Sequence, residues 1–134
     1  MTELPDTDRA RREAGMRTRR EVLGDAHVDR AVAGTTPFTA GFQDFITRVA
    51  WGDVWQRPGL ARRDRSLMTL SICIALRHWD EFALHVRAAV NNGLTDEEIG
   101  EVIQHAAVYA GVPAANHAFK VAGPILEELR TTGT

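Results

Sequence analysis

The stretch Thr95-Asp96-Glu97-Glu98-Ile99-Gly100-Glu101-Val102-Ile103-Gln104-His105-Ala106 decides the fold class. Thr95 followed three residues later by Glu98 is a capping box, in which each side chain satisfies a backbone N–H of the other at a helix start. Behind it Ile99, Val102, Ile103 and Ala106 recur at helical spacing, which gives one buried stripe. Gly111-Val112-Pro113 then breaks the chain. Pro113 opens a last helix to about Leu129, which Pro124 kinks or shortens. On the upstream side, Asn91-Asn92-Gly93 supplies the left-handed turn that closes a helix capped by Asp80.

Further upstream, residues 61 to about 77 form a helix whose second half, Leu67 to Leu76, is apolar nearly all round. Such a helix is expected to be central and buried. From Pro37 to about Trp51, Phe38, Phe42, Phe45, Ile46 and Val49 recur at helical spacing behind a Thr36 cap, with Pro37 at the first position. This amphipathic helix ends near Gly52, and Trp55-Gln56-Arg57-Pro58-Gly59-Leu60 reads as a loop. The segment from Asp8 to Leu23 is charged and helix-permissive but interrupted by Gly15. With Met16, Val22 and Leu23 as its few apolar contacts, it has to lean on something else. Residues 1 to about 8 carry Pro5 and three acidic groups and read as a frayed start. No segment alternates with period two, and there is no internal repeat or low-complexity tract. The predicted class is all-α, with about six helices.

A chain of 134 residues accommodates one domain, 1–134, and its 44% apolar and 25% charged content is that of a folded globular protein. Its formal charge of -2 argues against nucleic acid as a partner, and the N-terminal arginines are interleaved with Glu13, Glu21 and Asp25. All of the 16 basic residues but Lys120 are arginine, so arginine abundance alone marks no anion site. The single cysteine, Cys73, excludes an intrachain disulfide and a CxxC redox pair, and a cytoplasmic location follows as the default. The polar start from Met1 to Arg12 has no apolar signal region, and no stretch approaches a membrane span.

Three stretches together resemble the carboxymuconolactone decarboxylase family. They are Val22-Leu23-Gly24-Asp25-Ala26-His27-Val28-Asp29-Arg30, Ala50-Trp51-Gly52-Asp53-Val54-Trp55-Gln56-Arg57-Pro58-Gly59-Leu60, and the region from Glu81 to Asn116. The last includes His85-Val86-Arg87-Ala88-Ala89 and Tyr109-Ala110-Gly111-Val112-Pro113-Ala114-Ala115-Asn116. The likeness covers about residues 15 to 125. It implies an alkylhydroperoxidase D-like helical subunit that assembles as a ring, commonly a hexamer built as a trimer of dimers. It also implies loss of carbon dioxide from 4-carboxymuconolactone in protocatechuate breakdown, giving 3-oxoadipate enol-lactone without metal or organic cofactor. A sister branch resembling alkylhydroperoxidase D has a CxxC motif just before the same histidine. Here those positions read His78 and Glu81, so thiol chemistry has no sulfur to use. Arg77 stands where relatives usually have glycine, a departure that bears on the turn between two helices.

His85 is the first candidate for chemistry. Phe82, His85, Val86 and Ala89 share one helix face, so the imidazole points inward. By itself such a residue reads as a hydrogen-bonded core histidine, whereas the resemblance makes it a general acid. Glu81, one turn earlier, either orients that imidazole or is a solvated acid at a helix start. Arginine is the natural clamp for a substrate carboxylate. Arg57 in the aromatic loop and Arg65 at the start of the buried helix are the candidates, each with a surface ion pair as the alternative. Trp51 either walls a pocket or belongs to a core or subunit contact, and Trp55 poses the same choice. His27 either approaches the substrate or is a cap or surface histidine. Tyr109 continues the Val102 and Ala106 stripe and is predicted to reach inward. His105, Asn116 and His117 read as structural, no histidine spacing suggests a metal, and Arg62-Arg63-Asp64-Arg65 reads as a solvated helix start. The reading is a small-molecule lactone decarboxylase. A paralogue acting on another lactone or keto acid, and a non-catalytic oligomeric binding module, are the alternatives.

Overall fold

A computed structural model of the chain describes residues 7–132, so most of the expected frayed start lies outside the described residues. Among the described residues every regular element is helical, as predicted. The chain divides into two compact units, one up to Ala61 and one from Arg62 onward.

In the first unit, Thr7 caps α1 (Asp8–Leu23) by accepting the Ala10 N–H at 3.1 Å. Gly24, at φ 89°, ends α1 and starts α2 (Asp25–Ala33), a helix that the sequence reading passed over. The predicted helix from Pro37 begins later. Residues 36–39 form a turn in which the Thr36 carbonyl accepts the Ala40 N–H at 2.8 Å, and α3 spans Ala40–Ile46. Thr36 therefore closes a turn instead of capping a helix. α3 runs directly into a π-helical segment, Thr47–Val54, past the expected end at Gly52.

The π-helical segment is what α1 leans on, and glycine explains how closely. A Cβ on Gly15 would overlap the Thr47 carbonyl oxygen, and one on Gly52 would lie 2.5 Å from the Arg11 carbonyl oxygen. Only two glycines let these backbones touch. Ion pairs bracket the contact. Arg11 meets Asp53 with two hydrogen bonds of 2.8 Å, and Asp44 accepts from both Arg12 and Arg48. These two guanidinium groups hold the Asp44 carboxyl down at about 2.

The second unit consists of α4 (Arg62–Leu76), α5 (Trp79–Asn91), α6 (Asp96–Ala110) and α7 (Val112–Thr131). α4 packs on α5 and α6, and α7 packs on the same two. Leu70, Ile74, Phe82, Val86, Ile99 and Ile103 form the centre of its core, closed by the small residues Ala114, Ala115, Ala118 and Ala122 of α7. The capping box is present as predicted: Thr95 accepts the Glu98 N–H at 3.1 Å and Glu98 accepts the Thr95 N–H at 2.9 Å. Glu98 also pairs with Arg63, tying α4 to the start of α6. Gly93 and Gly111 take the left-handed turns, at φ 100° and 106°. α7 continues through Pro124 and is not shortened by it.

Two expectations fail here. Asp80 lies inside the first turn of α5, and His78 holds the N-cap position without a side-chain bond. The α4–α5 corner is instead made by Arg77 at φ 58°, where a side chain occupies a conformation that suits glycine. α4 is also not buried all round. Leu70, Cys73 and Ile74 face the core, whereas Met68, Ile72 and Leu76 are 44%, 56% and 58% exposed. One helix in a four-helix unit touches its neighbours along a single stripe, so the rest of its apolar surface faces outward.

Candidate active site

The α5 face predicted to point inward does so. Phe82, Val86 and Ala89 are fully buried and His85 between them is 7% exposed. Its Nε2 lies 3.9 Å from Oε2 of Glu81, whose side chain is 63% exposed. The distance exceeds a hydrogen bond, so the carboxylate is a near neighbour at the surface end of a buried imidazole. The arrangement places an imidazole in dry surroundings with a carboxylate at its solvent edge.

Cys73, on α4, is buried. Burial pushes its thiol pKa up, and the charge of Glu81 pushes the same way. A thiol kept protonated is a poor nucleophile, so Cys73 is a core residue. Among the described residues no group of three or more His, Cys, Asp or Glu side chains is placed to hold a metal ion.

The other candidates scatter. Arg65 is partly buried in the first turn of α4, in the same unit as His85. Trp51, Arg57 and His27 belong to the first unit. Trp51 is 6% exposed on the π-helical segment and stacks on Trp55 at 5.2 Å with a 31° tilt, a core pairing. Arg57 is exposed in the turn after that segment, and His27 is half-buried on α2. Tyr109 is a correction: it is 81% exposed and touches His105 at 5.3 Å. At about 100° per residue, the stripe set by Ile99, Ile103 and Ala106 passes through Ala110 and leaves Tyr109 to the side. His117 stacks on Trp79 at 4.4 Å, a structural contact.

The sequence reading missed one charged residue in the interior, Arg19, which is 5% exposed. The signal was there: Gly15, Arg19 and Val22 stand at i, i+4 and i+7 on the buried face of α1.

Fold and site together define a small all-helical protein with a buried histidine and an adjacent glutamate on one helix. Residues 40–123 match the Carboxymuconolactone decarboxylase family, and the chain belongs to that family, whose fold is alkylhydroperoxidase D-like. It is 45% identical over 122 residues to the 4-carboxymuconolactone decarboxylase of Acinetobacter baylyi, covering 91% of each chain. It is also 45% identical over 119 residues to a nitrosuccinic acid decarboxylase of Metarhizium robertsii, covering 89% of this chain and 83% of that one. A shorter 4-carboxymuconolactone decarboxylase sequence from Pseudomonas putida is 52% identical over 46 residues, 34% of this chain and 96% of that sequence.

Proposed function

We propose that this chain decarboxylates 4-carboxymuconolactone to 3-oxoadipate enol-lactone, in protocatechuate breakdown, without metal or organic cofactor. The observation that carries the reading is 45% identity across 91% of both chains to a relative named for that substrate. The departing carboxylate sits on a saturated ring carbon beside the lactone oxygen. When its C–C bond breaks, the electron pair moves through the ring double bond onto the lactone carbonyl, and carbon dioxide leaves. The dienolate is then protonated at the carbon α to the carbonyl. His85 supplies that proton as general acid and Glu81 orients the imidazole. Arg65 and Arg57 are the candidate clamps for the second carboxylate. The family match runs across the boundary at residue 61, which supports treating 1–134 as one family domain.

Assembly into a ring, a hexamer of three dimers, belongs to the proposal. Phe38, Phe42, Tyr109, Val108 and Ile72 are 96%, 62%, 81%, 77% and 56% exposed, apolar side chains that packing against other copies would cover. Among the described residues no helix is long and apolar enough to cross a membrane, and a cytoplasmic location is proposed with the function.

A second reading, decarboxylation of another acid, is favoured by the equal identity to the nitrosuccinic acid decarboxylase. A nitro group, like a conjugated lactone carbonyl, can take the electron pair that carbon dioxide leaves behind. The deciding assay feeds the purified protein the lactone formed by the preceding cycloisomerase, with a chelator present. Loss of the lactone's ultraviolet absorption with carbon dioxide release supports the first reading. Turnover of nitrosuccinate alone replaces it with the second.

A further inference from the structure

α1 brings a charge into the first unit that no carboxylate among the described residues pairs with. The Arg19 guanidinium donates to Thr47 Oγ1 at 3.3 Å and to Gln43 Oε1 at 3.1 Å, both neutral acceptors, and its Nε is buried with no acceptor at all. Burial, and then the neighbouring Arg20, lower its pKa, and no acidic group among the described residues offsets them. A cation in this position lacks the partner that usually accompanies a buried charge.

Beside it is a cavity of about 130 Å³, walled by Arg19, Arg12, Gln43, Thr47, Thr35 and Asp44, with Val32 at its half-exposed edge. Asp44 is already held by Arg12 and Arg48, so its charge is spent. The two guanidinium groups in its wall, Arg12 and Arg19, against one carboxylate leave the cavity net positive. Its volume holds about four waters at about 30 Å³ each. This is well short of the roughly 300–1,000 Å³ of a site for a whole drug-sized ligand. A planar head group with one or two carbons fits, and Asp44 in the wall disfavours a dianion. We propose that this cavity binds a small monocarboxylate through the Arg19 fork, whose geometry matches a carboxylate at two points. The inference stands whether or not His85 is the general acid.

The test is a titration of the intact protein with sodium acetate, at ionic strength matched with sodium chloride, followed by the arginine Nε–H signals in a nitrogen–proton spectrum. The Arg19 signal is expected to move downfield and saturate with acetate and to stay put with chloride. Arg19→Lys weakens acetate binding by about tenfold or more. Val32→Trp plugs the mouth from an exposed position and abolishes the shift with the fold retained, which keeps the test decisive if Arg19→Lys does not fold. The proposal is overturned if the Arg19 signal shows no saturable shift, if sulfate moves it as far as acetate, or if Val32→Trp binds acetate unchanged. Dilution of the protein alone moving the same signal overturns it too, because the occupant is then an acidic side chain of another copy.

Discussion

The Nε2 nitrogen of His85 lies 3.9 Å from the Oε2 oxygen of Glu81, one helical turn earlier on α5, and the two residues differ sharply in exposure. This asymmetry separates their expected effects. His85→Ala removes the proposed proton donor and should lower kcat by about 10²- to 10⁴-fold with the helical content unchanged. Glu81→Gln removes the charge of a largely solvated neighbour, worth about 1 kcal/mol or less, so kcat should fall no more than about fivefold. Steady-state kinetics on both variants check the ranking, and an equal loss in the two would overturn the assigned roles.

Gly15 and Gly52 predict a steep local intolerance. Gly15→Ala forces a methyl group into the Thr47 carbonyl and should destabilise by about 3 kcal/mol, the upper range for overpacking. Gly100→Ala on α6 meets nothing within 4 Å and should stabilise by up to about 1 kcal/mol. Urea unfolding of the two variants side by side measures the contrast.

At the α4–α5 corner, Arg77 holds φ 58° at a cost of about 1 kcal/mol for a residue with a Cβ. Arg77→Gly is therefore expected to raise the melting temperature and Arg77→Val to lower it. A melting scan in which glycine proves the worse of the two would remove strain from the account.

Asp44 sets an acid limit. Its carboxyl is depressed from 3.8 to about 2 by hydrogen bonds from Arg12 and Arg48, so the folded state binds its proton less readily than the unfolded chain. The stabilisation is complete above about pH 4 and disappears as pH falls towards 2. Asp44→Asn should flatten this part of the melting temperature profile between pH 5 and pH 2, and an unchanged profile would mean that other carboxylates govern acid unfolding.

The sequence revealed local features better than burial. Thr95 with Glu98, and Gly93 and Gly111, mark boundaries because the signal is the backbone chemistry of a few adjacent residues. α2 escaped because Asp25–Ala33 has one buried residue, Val28, and so almost no periodic signal. The π-helical Thr47–Val54 escaped because apolar spacing was read against a 3.6-residue turn, whereas its extra residue per turn answers to the approach of α1. Phe38, Ile72 and Tyr109 were read as interior from their stripes, but a stripe shows what would be buried if a partner were present. At the site, the inward face of His85 was legible from Phe82, Val86 and Ala89. Arg19 was not, because a charged residue in a charged segment carries no signal of burial.

The glycine contact in the first unit also has a mechanical meaning. With no side chain between α1 and the π-helical segment, neither rod can slide along the other, since a slip of one residue would put Ala14 or Met16 where only a hydrogen atom fits. The two therefore move as one stiff plate, and the ion pairs Arg11–Asp53 and Arg12–Asp44 act as rivets at its edges.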